Sequence, residues 1–153
     1  MSIKEKIAAL GLTLPTAAAP VAAYVPAVKS GKLIFTAGQL PVVDGKLVKE
    51  GKVGGDVTAE DAKELAQICA LNALAAISLV VDLDQVERVV RVGGFVNCAP
   101  DFTAIPGVVN GASEFLIKVF GDVNGKHART AVGVAELPLN APVEIELIVQ
   151  LKN

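Results

Sequence analysis

Residues 128–151 read ARTAVGVAELPLNAPVEIELIVQL. Two runs rich in β-branched residues flank a segment with two prolines, so the pattern predicts one strand starting near Arg129 and another over residues 143–149. Each strand carries a charged residue suited to chemistry. Arg129 can hold a carboxylate by two parallel hydrogen bonds, and Glu144 can orient a water molecule. The pair has the outline of a small hydrolytic site.

A simple hairpin would not bring Arg129 and Glu144 together. With Glu136 opposite Val143, Arg129 would pair with Gln150 and lie about six residues, or on the order of 20 Å, from Glu144. A common site therefore requires non-adjacent strands or a boundary between subunits. The alternative is a surface arginine at a strand start and a glutamate in an exposed ladder, because charged side chains are mostly exposed.

The strand that begins near Arg129 also carries small side chains. Alternation places Ala131, Gly133 and Ala135 on the same face as Arg129, and we expect this to be the charged face that bears Glu144. Such small residues beside acids are unusual for plain solvent exposure. They predict the close approach of another surface.

Composition limits the classes of function. The 153 residues fit one domain, and 52% hydrophobic content allows a packed core. A net charge of −2 and the absence of tryptophan argue against a nucleic-acid surface. Cys69 and Cys98 lack metal-ligand spacing, and His127, the single histidine, is expected to be a solvated loop residue, so no metal site is predicted.

The N-terminus has early charge and no apolar core long enough for a signal peptide, so we expect a soluble cytoplasmic protein. Residues 1–19 are interpreted as an N-terminal extension with a short helix that is an appendage to the domain. Residues 20–153 are expected to form that single domain. The segment 13–23, rich in proline and alanine, is expected to be extended.

Hydrophobic periodicity predicts an α+β fold with helices on one face of a sheet. The predicted helices are 3–10, 58–81 with Thr58 as its cap, and 108–121; the predicted strands are 24–28, 32–37, a short edge strand within 46–53, and 86–97 with a bulge at Gly93-Gly94. Gly38 follows the second strand, where it indicates either backbone amides open to a ligand or an ordinary tight turn.

Several motifs together resemble the Rid family of reactive-intermediate deaminases, also called YjgF-like proteins. The resemblance covers residues 20–151. The matching segments are Tyr24, FTAGQLP at 35–41, Val109-Asn110 with Glu114-Phe115, ARTAVGVAELP at 128–138, and VEIE at 143–146. Both the order of these segments and the spacing between them agree with the family pattern.

The resemblance implies a chorismate-mutase-like fold, a mixed sheet with two main helices on one face, assembled as a homotrimer with clefts between subunits. It also implies a cofactor-independent hydrolase that converts 2-imino acids, or their enamine tautomers, to 2-oxo acids and ammonia. The partners so implied are a small imino or oxo carboxylic acid and further copies of the chain. The expectation of no nucleic-acid partner and no membrane partner comes instead from the charge, the scarce aromatic residues and the short apolar runs of the sequence.

The resemblance assigns roles to six positions. Arg129 would bind the substrate carboxylate with help from the Gly38 backbone, and Glu144 would orient water together with main chain near Ala131. Tyr24 would border the cleft, and Asn110 would come from the adjoining subunit region.

Two positions depart from the family pattern. Ala131 stands where many members have cysteine, and Ala37 where many have serine or threonine. Backbone contacts survive these changes, but the shape of the pocket changes with them. The sequence therefore leaves two functions open, an imine deaminase and a non-catalytic trimer that binds small carboxylates, because both need Arg129.

Overall fold

A computed structural model describes residues 1–17, 19–20 and 22–153. Positions 18 and 21 lie outside the described residues. Both belong to the predicted extended segment 13–23, and position 18 also belongs to the predicted extension and position 21 to the start of the predicted domain. The helices are α1 (Ile3–Ala9), α2 (Ala59–Ser78) and α3 (Ile105–Asn124). The strands are β1 (Ala27–Ser30), β2 (Leu33–Thr36), β3 (Val42–Val43), β4 (Lys46–Leu47), β5 (Val86–Asn97), β6 (Ala128–Val134) and β7 (Val143–Leu151).

Five strands form one mixed sheet in the order β1-β2-β7-β5-β6, while β3 and β4 form a separate hairpin. Among the described strands of this sheet, only the β5–β6 pair is parallel, because α3 crosses over between these two strands; the other pairs are antiparallel. The predicted α+β fold is confirmed. β6 lies at the edge of the sheet, and β5 separates it from β7.

The core lies between one face of the sheet and the two long helices. Alternate residues of β7 are buried there: Val143, Ile145, Leu147, Val149 and Leu151. They pack in one cluster with the apolar stripes of α2 and α3, which include Leu74 and Phe115. The helices meet so closely at Gly111 that a methyl group there would lie 1.8 Å from the carbonyl oxygen of Lys63. The opposite sheet face is without helices in the described part of the chain.

The cap of α2 is as predicted, since Thr58 Oγ1 accepts a hydrogen bond of 3.1 Å from the Asp61 amide. The helix ends at Ser78, three residues before the predicted end. Leu79 and Val80 are exposed, so continuing the helix would bury nothing more. Asp82 then caps the next turn by accepting from the Asp84 amide.

The glycine pair of β5 is not a bulge, which corrects the sequence interpretation. The register of β5 against β7 shifts earlier, between residues 86 and 88 and between 89 and 91. Gly93 and Gly94 instead allow close packing on the two faces. A methyl group on Gly94 would lie 2.5 Å from Val109, and one on Gly93 would lie 2.7 Å from Cγ of Glu146.

The N-terminal helix is packed onto the core rather than standing apart from it. Ile3 and Ile7 are buried in the main cluster, and the Ile3 amide donates to Asp84 Oδ1 at 2.7 Å. Ser2 and Glu5 form a capping box at its start. Among the described residues, none of the helices combines the length and apolar character that crossing a bilayer requires.

Candidate functional site

Arg129 is held on the helix-covered side of the sheet edge. Its Nη1 donates to Asn110 Oδ1 at 2.7 Å and to Ser113 Oγ at 3.2 Å, and its Nη2 approaches the Pro106 carbonyl at 3.4 Å. All three partners belong to α3. Because Asn110 and Ser113 are three residues apart on that helix, they share one face and meet the guanidinium together. Within the described residues, Nε of Arg129 makes no hydrogen bond, so that edge can take a ligand.

His127 lies behind this cluster and is half-buried, which corrects the expectation of a solvated loop residue. Its Nε2 is 2.9 Å from Ser113 Oγ, and its Nδ1 is 2.6 Å from the Gly125 carbonyl oxygen. Burial lowers the pKa of His127, the hydrogen bond to Gly125 opposes that shift, and the nearby charge of Arg129 adds to it. The neutral imidazole is therefore favoured at neutral pH.

Glu144 lies on β7, with its side chain on the sheet face that the helices leave uncovered. Gly38 is so near that a methyl group on it would lie 2.6 Å from Glu144 Oε1. The neighbouring Gln39 is joined to Ile145 by two backbone hydrogen bonds of 2.8 and 3.0 Å, which fix the loop against the strand. Burial, and secondly the charge of Glu146, raise the pKa of Glu144.

Tyr24 lies before β1 and not inside it, because the strand begins only after Pro26. Its side chain is about half exposed and lines a cavity of about 630 Å³ together with Gly38, Gln39, Leu40 and Asn72. Asn72 of α2 holds the cavity wall by donating from Nδ2 to the carbonyls of Leu40 and Val42, each at 3.0 Å. The residues predicted for the site therefore fall into two groups, Tyr24, Gly38 and Glu144 in one, and Asn110 and Arg129 in the other.

Arg129 and Glu144 point to opposite faces of the sheet. Arg129 pairs with Val92 across one edge of β5, and Glu144 pairs with Phe95 across the other edge. Val92 and Phe95 are three residues apart in β5, so they and their partners lie on opposite faces. Two strand spacings and three residues of offset separate their Cα atoms by roughly 14 Å. β6 and β7 do not form a simple hairpin, because β5 lies between them. Non-adjacent strands are one of the two arrangements that a common site was expected to require. The expectation that Arg129 and Glu144 share a face is wrong, so one chain alone does not join them in a pocket.

The small residues of β6 have an internal explanation, which corrects a second expectation. Ala131 packs against the core cluster, and a methyl group on Gly133 would lie 3.0 Å from Cys98 Sγ and 3.1 Å from Ile105 Cδ1. Close packing within the chain therefore accounts for Ala131 and Gly133 without another subunit, whereas Ala135 lies beyond β6 and is exposed. Asn110 also differs from the expectation, because it contacts Arg129 of its own chain.

Sequence reasoning missed Ser113, His127, Gln39 and Asn72. A signal existed for two of them: Ser113 follows Asn110 at helical spacing, and His127 precedes Arg129 by two residues on a strand-like segment. The contacts of Gln39 and Asn72 depend on tertiary packing. Among the described residues, no group of three or more histidine, cysteine, aspartate or glutamate side chains is arranged to hold a metal ion.

Comparison with known proteins extends these observations. Residues 4–151 match the family model described as "YjgF/chorismate_mutase-like, putative endoribonuclease". Protein TCP17 of Trypanosoma cruzi is 43% identical over 145 residues, which are 94% of this chain and 91% of that protein. A 2-iminobutanoate/2-iminopropanoate deaminase of Escherichia coli K12 is 33% identical over 139 residues, 89% of this chain and 94% of that enzyme.

Two solved structures have the same fold over nearly the whole chain. A protein of unknown function from Agrobacterium tumefaciens has a TM-score of 0.88 and 43% identity, covering 98% of this chain and 92% of that one. A Shewanella oneidensis protein that shares the endoribonuclease description has a TM-score of 0.94 and 29% identity, covering 99% and 100%. The chain thus belongs to the YjgF/chorismate-mutase-like family, the Rid family that its sequence resembles.

Proposed function

We propose that the protein hydrolyses 2-imino acids, or their enamine tautomers, to 2-oxo acids and ammonia. The observation that carries the proposal is the fixed guanidinium of Arg129, with both Nη1 hydrogens bonded to Asn110 and Ser113. The edge that includes Nε and Nη2 then has the shape to take a carboxylate by two parallel hydrogen bonds. Every 2-imino acid carries such a carboxylate.

Glu144 would supply the base for the reaction. Water adds to the carbon of the protonated C=N bond and gives one proton to the Glu144 carboxylate, which leaves a neutral carbinolamine. Glu144 returns that proton to the amino nitrogen and then takes the proton of the new hydroxyl, so that the C=O bond forms as the C–N bond breaks and ammonia leaves. Glu144 releases its proton to ammonia or to solvent. Since the imine carbon is already electrophilic, positioning and one general base are sufficient. The raised pKa of Glu144 makes it a stronger base than an ordinary surface glutamate.

The proposal places each site between two copies of the chain, in a homotrimer. The helix-free sheet face presents Phe35 and Val132, which are 40% and 39% exposed. Apolar side chains on a sheet face suit burial against another subunit. Such packing would set the Glu144 group of one copy opposite the Arg129 group of the next. A cytoplasmic location belongs to the same proposal and fits the two free thiols, Cys69 and Cys98.

The test supplies freshly generated 2-iminobutanoate and related imino acids and follows their loss beyond the spontaneous rate. Wild type is expected to accelerate at least one of them, and Arg129→Ala to accelerate none. Arg129→Lys should recover only part of the rate, because an ammonium cannot form the two parallel bonds. Arg88→Ala, which removes another arginine of the sheet, is the matched control and should behave as wild type.

Light scattering on the same samples gives the oligomeric state. A wild type that does not accelerate imine loss but binds 2-oxobutanoate, with binding lost in Arg129→Ala, would favour the non-catalytic carboxylate-binding protein. The absence of both activity and binding would contradict the role given to Arg129.

A further inference from the structure

Ser113 stands between Arg129 and His127 in a continuous hydrogen-bonded chain. Its Oγ is 3.2 Å from Arg129 Nη1 and 2.9 Å from His127 Nε2, and His127 Nδ1 is 2.6 Å from the Gly125 carbonyl oxygen. Gly125 follows α3, and Arg129 lies two residues after His127 at the sheet edge. The chain therefore ties the guanidinium to the backbone at the end of the helix.

The chemistry of the four groups fixes the direction of every bond. The Gly125 carbonyl can only accept, so His127 Nδ1 carries the hydrogen and donates it. In the neutral imidazole Nε2 is then the acceptor, and the Ser113 hydroxyl donates to it. The hydroxyl oxygen keeps a lone pair for the Nη1 hydrogen of Arg129. Burial and the charge of Arg129, which lower the pKa of His127, favour the neutral ring that this order requires.

A serine bonded to a histidine is also the arrangement of a nucleophile and its base. Ser113, however, lies inside α3, where the backbone amides around it are committed to bonds along the helix. No pair of amides is thus left beside its hydroxyl to stabilise an oxyanion. Both the donor and an acceptor site of the hydroxyl are engaged as well. The cluster therefore suits holding a charge better than attacking a substrate.

We propose that Ser113 and His127 are positioning residues that hold the Arg129 guanidinium with its Nε edge presented to a carboxylate. The inference rests on the proposed binding of the substrate carboxylate by Arg129. Asn110 takes one Nη1 hydrogen and Ser113 the other, which fixes the plane of the group. Without Ser113 the long side chain regains rotamers that must be frozen again on binding, which weakens binding by about tenfold.

Ser113→Ala removes the hydroxyl in the middle of the hydrogen-bonded chain, and His127→Phe removes the acceptor of that hydroxyl. Ser113→Thr keeps a hydroxyl, and His127→Gln keeps an acceptor. The experiment measures kcat and KM for a 2-imino acid that wild type hydrolyses and, separately, the Kd of 2-oxobutanoate by calorimetry. The matched control is Ser78→Ala, which removes another half-buried helical hydroxyl, one that bonds the Ala75 carbonyl. Thermal midpoints are recorded for every variant.

Ser113→Ala and His127→Phe are expected to raise KM and Kd about tenfold, with most of the loss in KM and not in kcat. Ser113→Thr and His127→Gln should stay within about threefold of wild type. Values for Ser113→Ala equal to those of the Ser78→Ala control would overturn the inference and leave the proposed function standing. So would a loss in kcat alone, or a loss that Ser113→Thr does not restore.

The binding measurement separates the two proposals. If wild type has no deaminase activity but Ser113→Ala still weakens 2-oxobutanoate binding, the proposed reaction fails and the positioning role holds. If wild type does not bind 2-oxobutanoate at all, there is no carboxylate for Arg129 to receive, and the positioning role fails as well.

Discussion

Glu144 packs directly over Gly38, and a methyl group on this glycine would lie 2.6 Å from Glu144 Oε1 and 2.8 Å from its Cδ. No real side chain sits at that distance, so any residue other than glycine at position 38 must move the carboxylate. The loop itself has little freedom to move, because the backbone N–H and the backbone carbonyl of Gln39 are both hydrogen-bonded to the backbone of Ile145. The position of the proposed base therefore depends on the absence of one carbon atom.

Gly38→Ala is expected to lower kcat/KM for imine hydrolysis by about tenfold or more, because a displaced base no longer reaches the attacking water. Stability should change little, since the atoms that must move are the far end of a flexible side chain. Steady-state kinetics and a thermal melt measure the two quantities. An alanine variant with wild-type kcat/KM would show that the carboxylate position does not matter to the reaction.

Glu146→Gln is expected to move the acid limb of the pH–rate profile to lower pH. The charge of Glu146 contributes to the raised pKa of Glu144, so its removal lowers that pKa and keeps the base ionised in more acidic solution. The profile of kcat/KM against pH for wild type and variant tests this. Glu87→Gln, an exposed glutamate of β5, is the control and should leave the limb in place. A shift in the opposite direction would contradict the assignment of Glu144 as the base.

Glu144→Gln is expected to be inactive and yet more stable than wild type at pH 7. Burial disfavours the charged form, so the folded pKa of Glu144 is raised, and its contribution to stability is present at low pH and is lost as pH rises through the folded pKa. The glutamine side chain does not ionise, so the variant does not lose this stability as the pH rises. Urea denaturation at pH 7 and at pH 4 measures it, and the advantage of the variant should shrink at the lower pH.

Two glycines of α3 are expected to respond to alanine with opposite signs. A methyl group on Gly111 would lie 1.8 Å from the Lys63 carbonyl oxygen, so Gly111→Ala must separate α2 from α3 and cost about 3 kcal/mol of unfolding free energy. Gly107 has nothing within 4 Å, and Gly107→Ala should gain about 0.5 kcal/mol from helix propensity. Urea denaturation curves give both values, and equal effects would contradict the close packing of the helices.

The secondary structure of the long elements was predictable because local patterns determine it. The cap at Thr58 and the apolar spacing that follows it place α2, and the alternation after Val143 places β7. The end of α2 was less predictable, because apolar residues such as Leu79 continue the pattern without being buried. The bulge was misplaced for a related reason, since glycine in a strand indicates either a bulge or close packing, and only the neighbours Val109 and Glu146 decide between them.

The identity of the candidate site residues was predictable from the sequence, but their placement relative to one another was not. Alternation gives the faces within β6 and within β7, but relating the two strands requires the register of each against β5. Without that register, alternation alone predicts that Arg129 and Glu144 lie on one face. The sequence predicts a solvated residue at His127 because its partner Ser113 lies fourteen positions away and becomes a neighbour only when α3 crosses over the sheet.

The placement of Arg129 and Glu144 on opposite faces also bears on mixed populations of subunits. In the proposed assembly, a chain that lacks Arg129 still offers an intact Glu144 to its neighbour, and a chain that lacks Glu144 still offers an intact Arg129. Random mixing of equal amounts of Arg129→Ala and Glu144→Ala chains, each inactive alone, would restore about one quarter of the sites. Two defective alleles of the gene would then complement each other in one cell, whereas either allele alone would leave it without the activity.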